Sequence, residues 1–334
     1  MDVLLDFGAR FLLQLQSPTL AFLLGGVVIA ALGSQLEIPD AIYKWIVFML
    51  LMTVGLEGGV AIREANLVDM LLPAFFAVLI GIGIVLLGRV TLAMLPSIRK
   101  VDGIATAGLF GAVSGSTLAA AIVVMNTEGL DFEHWAPALY PFMDIPALVT
   151  AIVLANLYLK RKDGSGEKVR IWPIVKESLQ GSALSALLLG IALGLLTKPE
   201  SVFEDFYEPL FRGLLSILML IMGMEAYARL NELRRVAHWY AVYAGLAPLV
   251  HGLMGFGLGY IAHVLTGFSP GGVVLLAVIA GSNSDISGPP TLRAGIPSAN
   301  PSAYIGASTS LGTPVAIAIG IPLYIGLAQV VFGT

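Results

Sequence analysis

The sequence predicts an all-α polytopic membrane protein with about ten transmembrane helices in two five-helix inverted repeats. The first observation is composition: 57% of the 334 residues are hydrophobic and 12% are charged, against about 25% charged in an average soluble domain. The second is a succession of apolar stretches long enough to cross a bilayer. The third is that the two halves share residues at one fixed offset.

Each expected span is a run of roughly 20 apolar residues bounded by charged or Pro/Gly-rich loops. The runs cover residues 18–36, 41–58, 67–95, 103–126, 137–159, 173–197, 209–228, 236–265, 271–295 and 302–332. Ahead of them, polar residues recur at every fourth position of an apolar segment, which predicts a short amphipathic helix in the membrane interface. Its polar stripe consists of Asp2, Asp6, Arg10 and Gln14.

Charged loops indicate the orientation of the spans. The short link at residues 161–172, with Lys160 just before it, is basic, and basic loops remain in the cytoplasm by the positive-inside rule. The acidic loops around Asp131 and Glu204 then fall outside. We therefore expect a multi-pass protein of the plasma membrane with both termini external.

The two halves, residues 1–160 and 173–334, resemble each other. An offset of 168 aligns Gly55-Leu56-Glu57 with Gly223-Met224-Glu225. Further pairs at that offset are Ala112 with Ala280, Ser114 with Ser282, Ser116 with Ser284, and Pro146 with Pro314. An odd number of spans in each half requires the halves to insert with opposite orientations. Inverted repeats are typical of secondary transporters, whose substrate site lies near the midplane where the repeats meet.

Two Gly/Ser-rich interruptions fall at corresponding places in the fourth and ninth spans. Ser116 or Thr117 can cap one apolar half-helix there, and Ser287 or Gly288 can cap another. Each helix N-terminus is worth about half a positive charge, so the pair would bind a small anion without an arginine. The alternative is that small residues only allow close helix packing. The predicted anion-binding residues are Gly111, Ser114, Gly115, Ser116, Thr117, Ser284, Asp285, Ile286 and Ser287.

Two acidic residues, Asp144 and Asp285, lie deep within expected spans. A bare carboxylate at the bilayer centre costs a few kcal/mol or more, and a bound cation offsets that cost. Sodium prefers hard oxygen ligands, which the neighbouring polar residues supply. The predicted sodium ligands are Asp144, Ser282, Asn283 and Asp285. The alternatives are that either acid caps a half-helix or takes part in a proton relay.

Several function classes lack their characteristic residues. The chain has no cysteine, which excludes disulfides and thiolate chemistry. It contains no phosphate-binding P-loop, no nucleophile elbow and no zincin motif. We therefore expect neither an enzyme nor a nucleic-acid-binding protein, with no cofactor other than sodium as a coupling ion.

Five long blocks of the sequence lie at residues 17–22, 108–117, 138–150, 211–225 and 284–301. These blocks are similar to the cyanobacterial sodium-dependent bicarbonate transporters. The resemblance implies sodium-driven uptake of bicarbonate across the plasma membrane of a photosynthetic bacterium. It also implies a homotrimer, a mobile core domain against a fixed gate domain, and inhibition by a PII-like cytoplasmic regulatory protein.

Residues and resemblance together predict a sodium/bicarbonate symporter of the elevator type. The alternative within the same class is a sodium symporter of another small anion, such as a carboxylate. Carboxylates often recruit an arginine, and the expected core contains none beyond Arg89 near the end of the third span. The alternative in another class is an anion channel, whose flux would neither saturate nor depend on sodium.

Overall fold

The structure, a computed structural model of the chain, describes residues 18–163, 171–235, 238–285 and 288–333. The predicted interfacial helix at residues 2–15 and most of the basic link lie outside these ranges. The helices are α1 Pro18–Ala31, α2 Asp40–Glu64, α3 Leu67–Val90, α4 Lys100–Gly111, α5 Gly115–Glu128, α6 Tyr140–Asp163, α7 Ile171–Gln180, α8 Ser182–Leu196, α9 Glu208–Arg235, α10 His238–Thr266, α11 Pro270–Gly281, α12 Gly288–Gly295 and α13 Pro301–Phe332.

Helix starts and ends follow local side-chain chemistry. Ser269 accepts a hydrogen bond from the Gly272 amide at 2.9 Å and so caps α11, which begins with a proline. Asn300 caps α13 in the same way, again directly before a proline. At the other end of α5, Gly129 adopts the left-handed conformation, with φ of 68°, that ends many helices.

Within the described ranges, seven helical segments are long and apolar enough to cross a membrane: residues 40–64, 67–94, 100–128, 136–162, 200–228, 238–266 and 301–332. They coincide with seven of the ten expected spans, and the protein is a polytopic membrane protein. The other three expected spans contain the shorter apolar helices α1, α8 and α11. That all ten cross the bilayer therefore stays a prediction.

The order of helices recurs along the chain. Adding 168 to the bounds of α2 gives residues 208–232, within α9. The same shift carries α1 onto most of α8, and α3, α4 and α6 onto much of α10, α11 and α13. Both α4 and α11 end just before a non-helical segment that is followed by a further helix.

Helix packing gives two sets of close contacts among the described elements, and α9 and α13 also contact each other between the two sets. In the paired group, α1 packs on α9 and α2 packs on α8. Glycines allow close backbone approach there: a Cβ at Gly26 would collide with the Leu220 carbonyl, and one at Gly55 with the Leu187 carbonyl. In the crossing group, α3, α4 and α6 pack together, as do α10, α11 and the end of α13.

Candidate functional site

The first helix break, residues 112–114, separates α4 from α5. Its residues are buried, and Ser114 has an extended backbone with φ of −98° and ψ of 119°. The Ser114 hydroxyl accepts a hydrogen bond from the Thr117 amide at 3.2 Å. Ser114 is therefore the cap of α5. The predicted caps, Ser116 and Thr117, already belong to the first turn of the helix. The observed cap, Ser114, therefore lies two residues before Ser116.

The second helix break follows α11 and is described from Ser282 to Asp285. The Ser284 hydroxyl accepts a hydrogen bond from the amide of Gly288, the first residue of α12, at 2.8 Å. That bond satisfies one of the free amides at the start of the helix. The predicted ligands Ile286 and Ser287 lie outside the described residues.

The two breaks contact each other in the interior of the protein. The Ser114 amide donates to the Ser282 hydroxyl at 3.1 Å, and these two serines are 168 residues apart. The Ser284 amide donates to the Leu109 carbonyl at 3.0 Å. Because an amide of the first break is satisfied by the second break and an amide of the second break by the end of α4, the irregular backbone is tolerated at this depth.

Asp285 lies where the two helix breaks meet, and it is half-buried. Its carboxylate accepts hydrogen bonds from the hydroxyls of Ser114 at 3.1 Å, Ser116 at 3.0 Å and Tyr43 at 2.9 Å. A hydroxyl both donates and accepts, so the serines can rotate to present oxygens to a cation beside the carboxylate. The cluster therefore suits a hard monovalent cation bound mostly by neutral oxygens.

Asp144 on α6 lies behind the first break and is fully buried. One carboxylate oxygen accepts from the Val113 amide at 2.9 Å, whereas the other has no hydrogen-bond partner among the described residues. The Tyr140 hydroxyl, one turn earlier on the same helix, donates to the Val113 carbonyl at 3.1 Å. This free carboxylate oxygen is a second position that could bind a buried cation, because the negative charge of Asp144 would balance the positive charge of the ion.

Asn283 is held from the opposite side by α13. In either orientation of its amide, the side chain bonds to the hydroxyl of Ser308 at 2.5 Å and that of Thr313 at 2.8 Å. The Ser308 hydroxyl also lies 3.3 Å from the Ser284 carbonyl. These oxygens form a neutral polar pocket, without a carboxylate, behind the second break.

The remaining predicted residues have different surroundings. A Cβ at Gly111 would meet Ala147 of α6 and the Gly81 carbonyl of α3, so this glycine faces helix packing. A Cβ at Gly115 would meet the side chain of Leu51 on α2. The buried hydroxyl of Thr117 has no hydrogen-bond partner within the described ranges. Over those same ranges, no group of three histidine or acidic side chains could hold a metal ion.

Four residues of this region were not predicted from the sequence: Tyr43, Tyr140, Ser308 and Thr313. The offset of 168 relates two of them, because it pairs Tyr140 with Ser308, and both donate hydrogen bonds to residues of a break. Tyr43 has no such relation, since its offset partner is Phe211. It belongs to the paired group, so its contact with Asp285 joins the two helix groups.

Comparison with known families gives a match that covers most of the chain. A family model described as the Na+-dependent bicarbonate transporter superfamily matches residues 18–329. The matched range contains both helix breaks and every described residue that contacts them. The comparison with curated proteins finds no match.

Proposed function

The chain belongs to the Na+-dependent bicarbonate transporter superfamily, and from this premise we propose that it is a symporter importing bicarbonate with sodium. The observation that supports the proposal most strongly is the meeting of the two breaks at Asp285. The Asp285 carboxylate, with the three hydroxyls that contact it, could bind a cation. The N-termini of the two half-helices beside it could bind an anion at the same place.

We assign the anion to the space in front of α5 and α12. The N-terminus of α5, capped by Ser114, and that of α12 both adjoin the helix breaks, and helix N-termini favour negative charge. Ser116, Thr117, Ser284, Ile286 and Ser287 complete the proposed anion site. α5 contains no arginine, and the arginine of α12, Arg293, lies in the last turn of that helix and not at its start. This arrangement fits a small anion better than a carboxylate that needs a two-pronged partner.

Sodium has two candidate positions in this scheme. At the first, Asp285 would bind the ion close to the anion, together with the hydroxyls of Ser114 and Ser116 that contact it. The other two predicted ligands bond elsewhere, Ser282 to the Ser114 amide and Asn283 to α13. At the second, the unpartnered oxygen of Asp144 would bind an ion behind the first break. In both, the positive ion offsets the cost of burying a carboxylate. A cation at Asp285 would also attract the bicarbonate and so couple the two ligands.

The two helix groups support an elevator-type cycle. We propose that the crossing group carries the site as a mobile core past the paired group, which acts as the gate domain. The close, glycine-lined contacts of α1 with α9 and α2 with α8 suit a rigid frame. The Tyr43 hydrogen bond to Asp285 would break and re-form once in each cycle.

Other properties follow from family resemblance and from the charge pattern. The proposed assembly is a homotrimer in the plasma membrane of a photosynthetic bacterium, inhibited by a PII-like protein on the cytoplasmic side. The proposed orientation places both termini outside, with support from the basic residues at the end of α6, Lys160 to Lys162.

Uptake of labelled bicarbonate into proteoliposomes tests the proposed function. We expect saturable uptake that rises with an inward sodium gradient and disappears when choline replaces sodium. Asp69→Asn, an exposed acid at the start of α3, serves as a matched control and should transport normally. Equal uptake in sodium and choline would contradict symport, and uptake that does not saturate would favour a channel. Competition by acetate as strong as that by bicarbonate would favour the carboxylate alternative.

A further inference from the structure

A basic cavity lies far from the two breaks, where the end of α3, the start of α4 and the end of α6 come together. Its volume is about 470 Å³, and its lining includes Arg89, Lys100, Arg161 and Tyr158. Apolar side chains complete the wall, and two of them, Met94 and Leu157, are 63% and 47% exposed. The cavity therefore combines three cations with an open apolar edge.

The three cations are not neutralised within the part of the chain that the structure describes. The described lining contains no acidic residue, and none of its cations forms an ion pair with a described residue. The nearby acid Asp102 is 4% exposed and accepts from the Asn300 amide at 2.9 Å on the other side of α4. An anion from outside the protein would supply the missing charge.

Helix electrostatics explain two of the cations but not the third. Arg89 and Arg161 lie in the last turns of α3 and α6, where positive charge is favourable. Lys100 is the first residue of α4, the end at which the helix dipole disfavours a cation. Its ammonium lies 5.7 Å from the centre of the Tyr158 ring, over the cavity.

The fold itself does not require these charges. The offset of 168 carries Arg89, Lys100 and Arg161 onto Gly257, Phe268 and Gln329. The corresponding helices of the second half are therefore built without any of the three cations. The cluster is a feature of one face of the protein, the face on which the basic link at residues 161–172 begins.

We propose that this cavity binds the phosphate headgroup of an anionic phospholipid, with the acyl chains along the exposed apolar edge. Basic cavities between membrane helices on the side of basic loops are suited to such headgroups. The apolar edge favours a lipid over a soluble phosphate, since Met94 and Leu157 would otherwise border an aqueous ion site. The proposal is independent of the transported substrate.

Binding of labelled lipids to the purified protein in mixed vesicles tests the proposal. We expect wild-type protein to prefer phosphatidylglycerol over phosphatidylcholine. Lys100→Gln should reduce that preference roughly fivefold, as expected for the loss of ~1 kcal/mol from one cation near an anionic surface. The triple variant R89Q/K100Q/R161Q should abolish it. A matched control, K44Q/K198Q/R212Q, removes three exposed cations elsewhere and should retain it.

Two outcomes would overturn the proposal. The first is a phosphatidylglycerol preference that survives in Lys100→Gln and in the triple variant. The second is displacement of the lipid by millimolar glycerol phosphate, which would show that the cavity selects a soluble phosphate ester. Size-exclusion profiles of all variants distinguish lost binding from lost folding, and the single variant keeps the test valid if the triple variant does not fold.

Discussion

The two helix breaks share a backbone plan but differ in where their charge lies. The first break contains no acid, and a buried carboxylate, Asp144, supports it from behind. The second break contains the acid Asp285 itself, and neutral hydroxyls of α13 support it from behind through Asn283. The two bends therefore match in position along the chain, whereas the acids that accompany them lie at different positions within each half.

The offset of 168 shows which residues correspond to the two acids in the other half of the chain. Asp285 corresponds to Thr117, and Asp144 corresponds to Gly312. Neither acid has an acidic counterpart in the other half, so the two candidate cation positions are not copies of one another. The position at Asp285 faces the contact between the two breaks, whereas the position at Asp144 is fully buried behind the first break. Different effects on transport should follow when each charge is removed.

The largest effect is expected for Asp285→Asn. An amide keeps the size of the side chain but loses the charge that three hydroxyls and the proposed sodium ion compensate. We expect the sodium concentration for half-maximal bicarbonate uptake to rise at least tenfold, which corresponds to about 1.4 kcal/mol, or coupled uptake to be abolished. Labelled uptake at several sodium concentrations measures it. Normal uptake at limiting sodium would remove Asp285 from the cation site.

A smaller effect is expected for Asp144→Asn. Asparagine still offers an oxygen to the Val113 amide, so the first break keeps its support, while a cation at the free carboxylate oxygen loses its charge partner. We expect a several-fold rise in the sodium requirement. The same uptake series measures it, with Asp69→Asn as the exposed control. An effect larger than that of Asp285→Asn would reverse the assignment of the two acids.

The sequence located both breaks because small polar residues interrupt apolar spans at a common offset. The local capping residue was less predictable, since Ser114, Ser116 and Thr117 all suit a helix start and only backbone geometry selects Ser114. Contacts between distant helices, such as Tyr43 with Asp285, depend on how the groups pack. No local pattern near Tyr43 distinguishes it from the other aromatic residues of α2.

The supports behind the breaks give the next prediction. Ser308→Ala removes a hydroxyl bound to Asn283, and Tyr140→Phe removes one bound to the Val113 carbonyl, so each leaves a buried polar partner with one bond fewer. We expect each change to destabilise the protein by about 1 kcal/mol, measured by thermal unfolding in detergent. A further loss of sodium affinity in Ser308→Ala alone would show that the neutral pocket also binds a cation.

The smallest effect is expected for the pH-dependent contact between His134 and Glu57, both in the first half of the chain. His134, in the loop after α5, bonds to Glu57 of α2 at 2.7 Å. This hydrogen bond, assisted by the charges of Glu57 and Asp131 and opposed by burial, raises the pKa of His134 above its ordinary value. The stabilisation is therefore complete below about pH 6.5 and is lost as pH rises through the raised pKa.

Thermal unfolding across that pH range checks the prediction. Wild-type protein should lose a little stability as pH rises above about 6.5, and Glu57→Gln should show a flatter profile. Glu57 and His134 line a cavity together with a second acid, Glu64, and Glu64→Gln is the matched control. An unchanged slope in Glu57→Gln would mean that other groups set the pH dependence.

The pairing of α1 with α9 and of α2 with α8 has a consequence for synthesis at the ribosome. Each pair joins a helix from the first half to one from the second, so the first-half helix is synthesised long before its partner has been translated. Its glycine-lined face has no partner from the second half during that interval, because helix association in membranes follows insertion. We expect the frame to assemble late, only after α9 has entered the bilayer. Two separately expressed halves should therefore become protease-resistant when they are produced together and remain sensitive when they are produced alone.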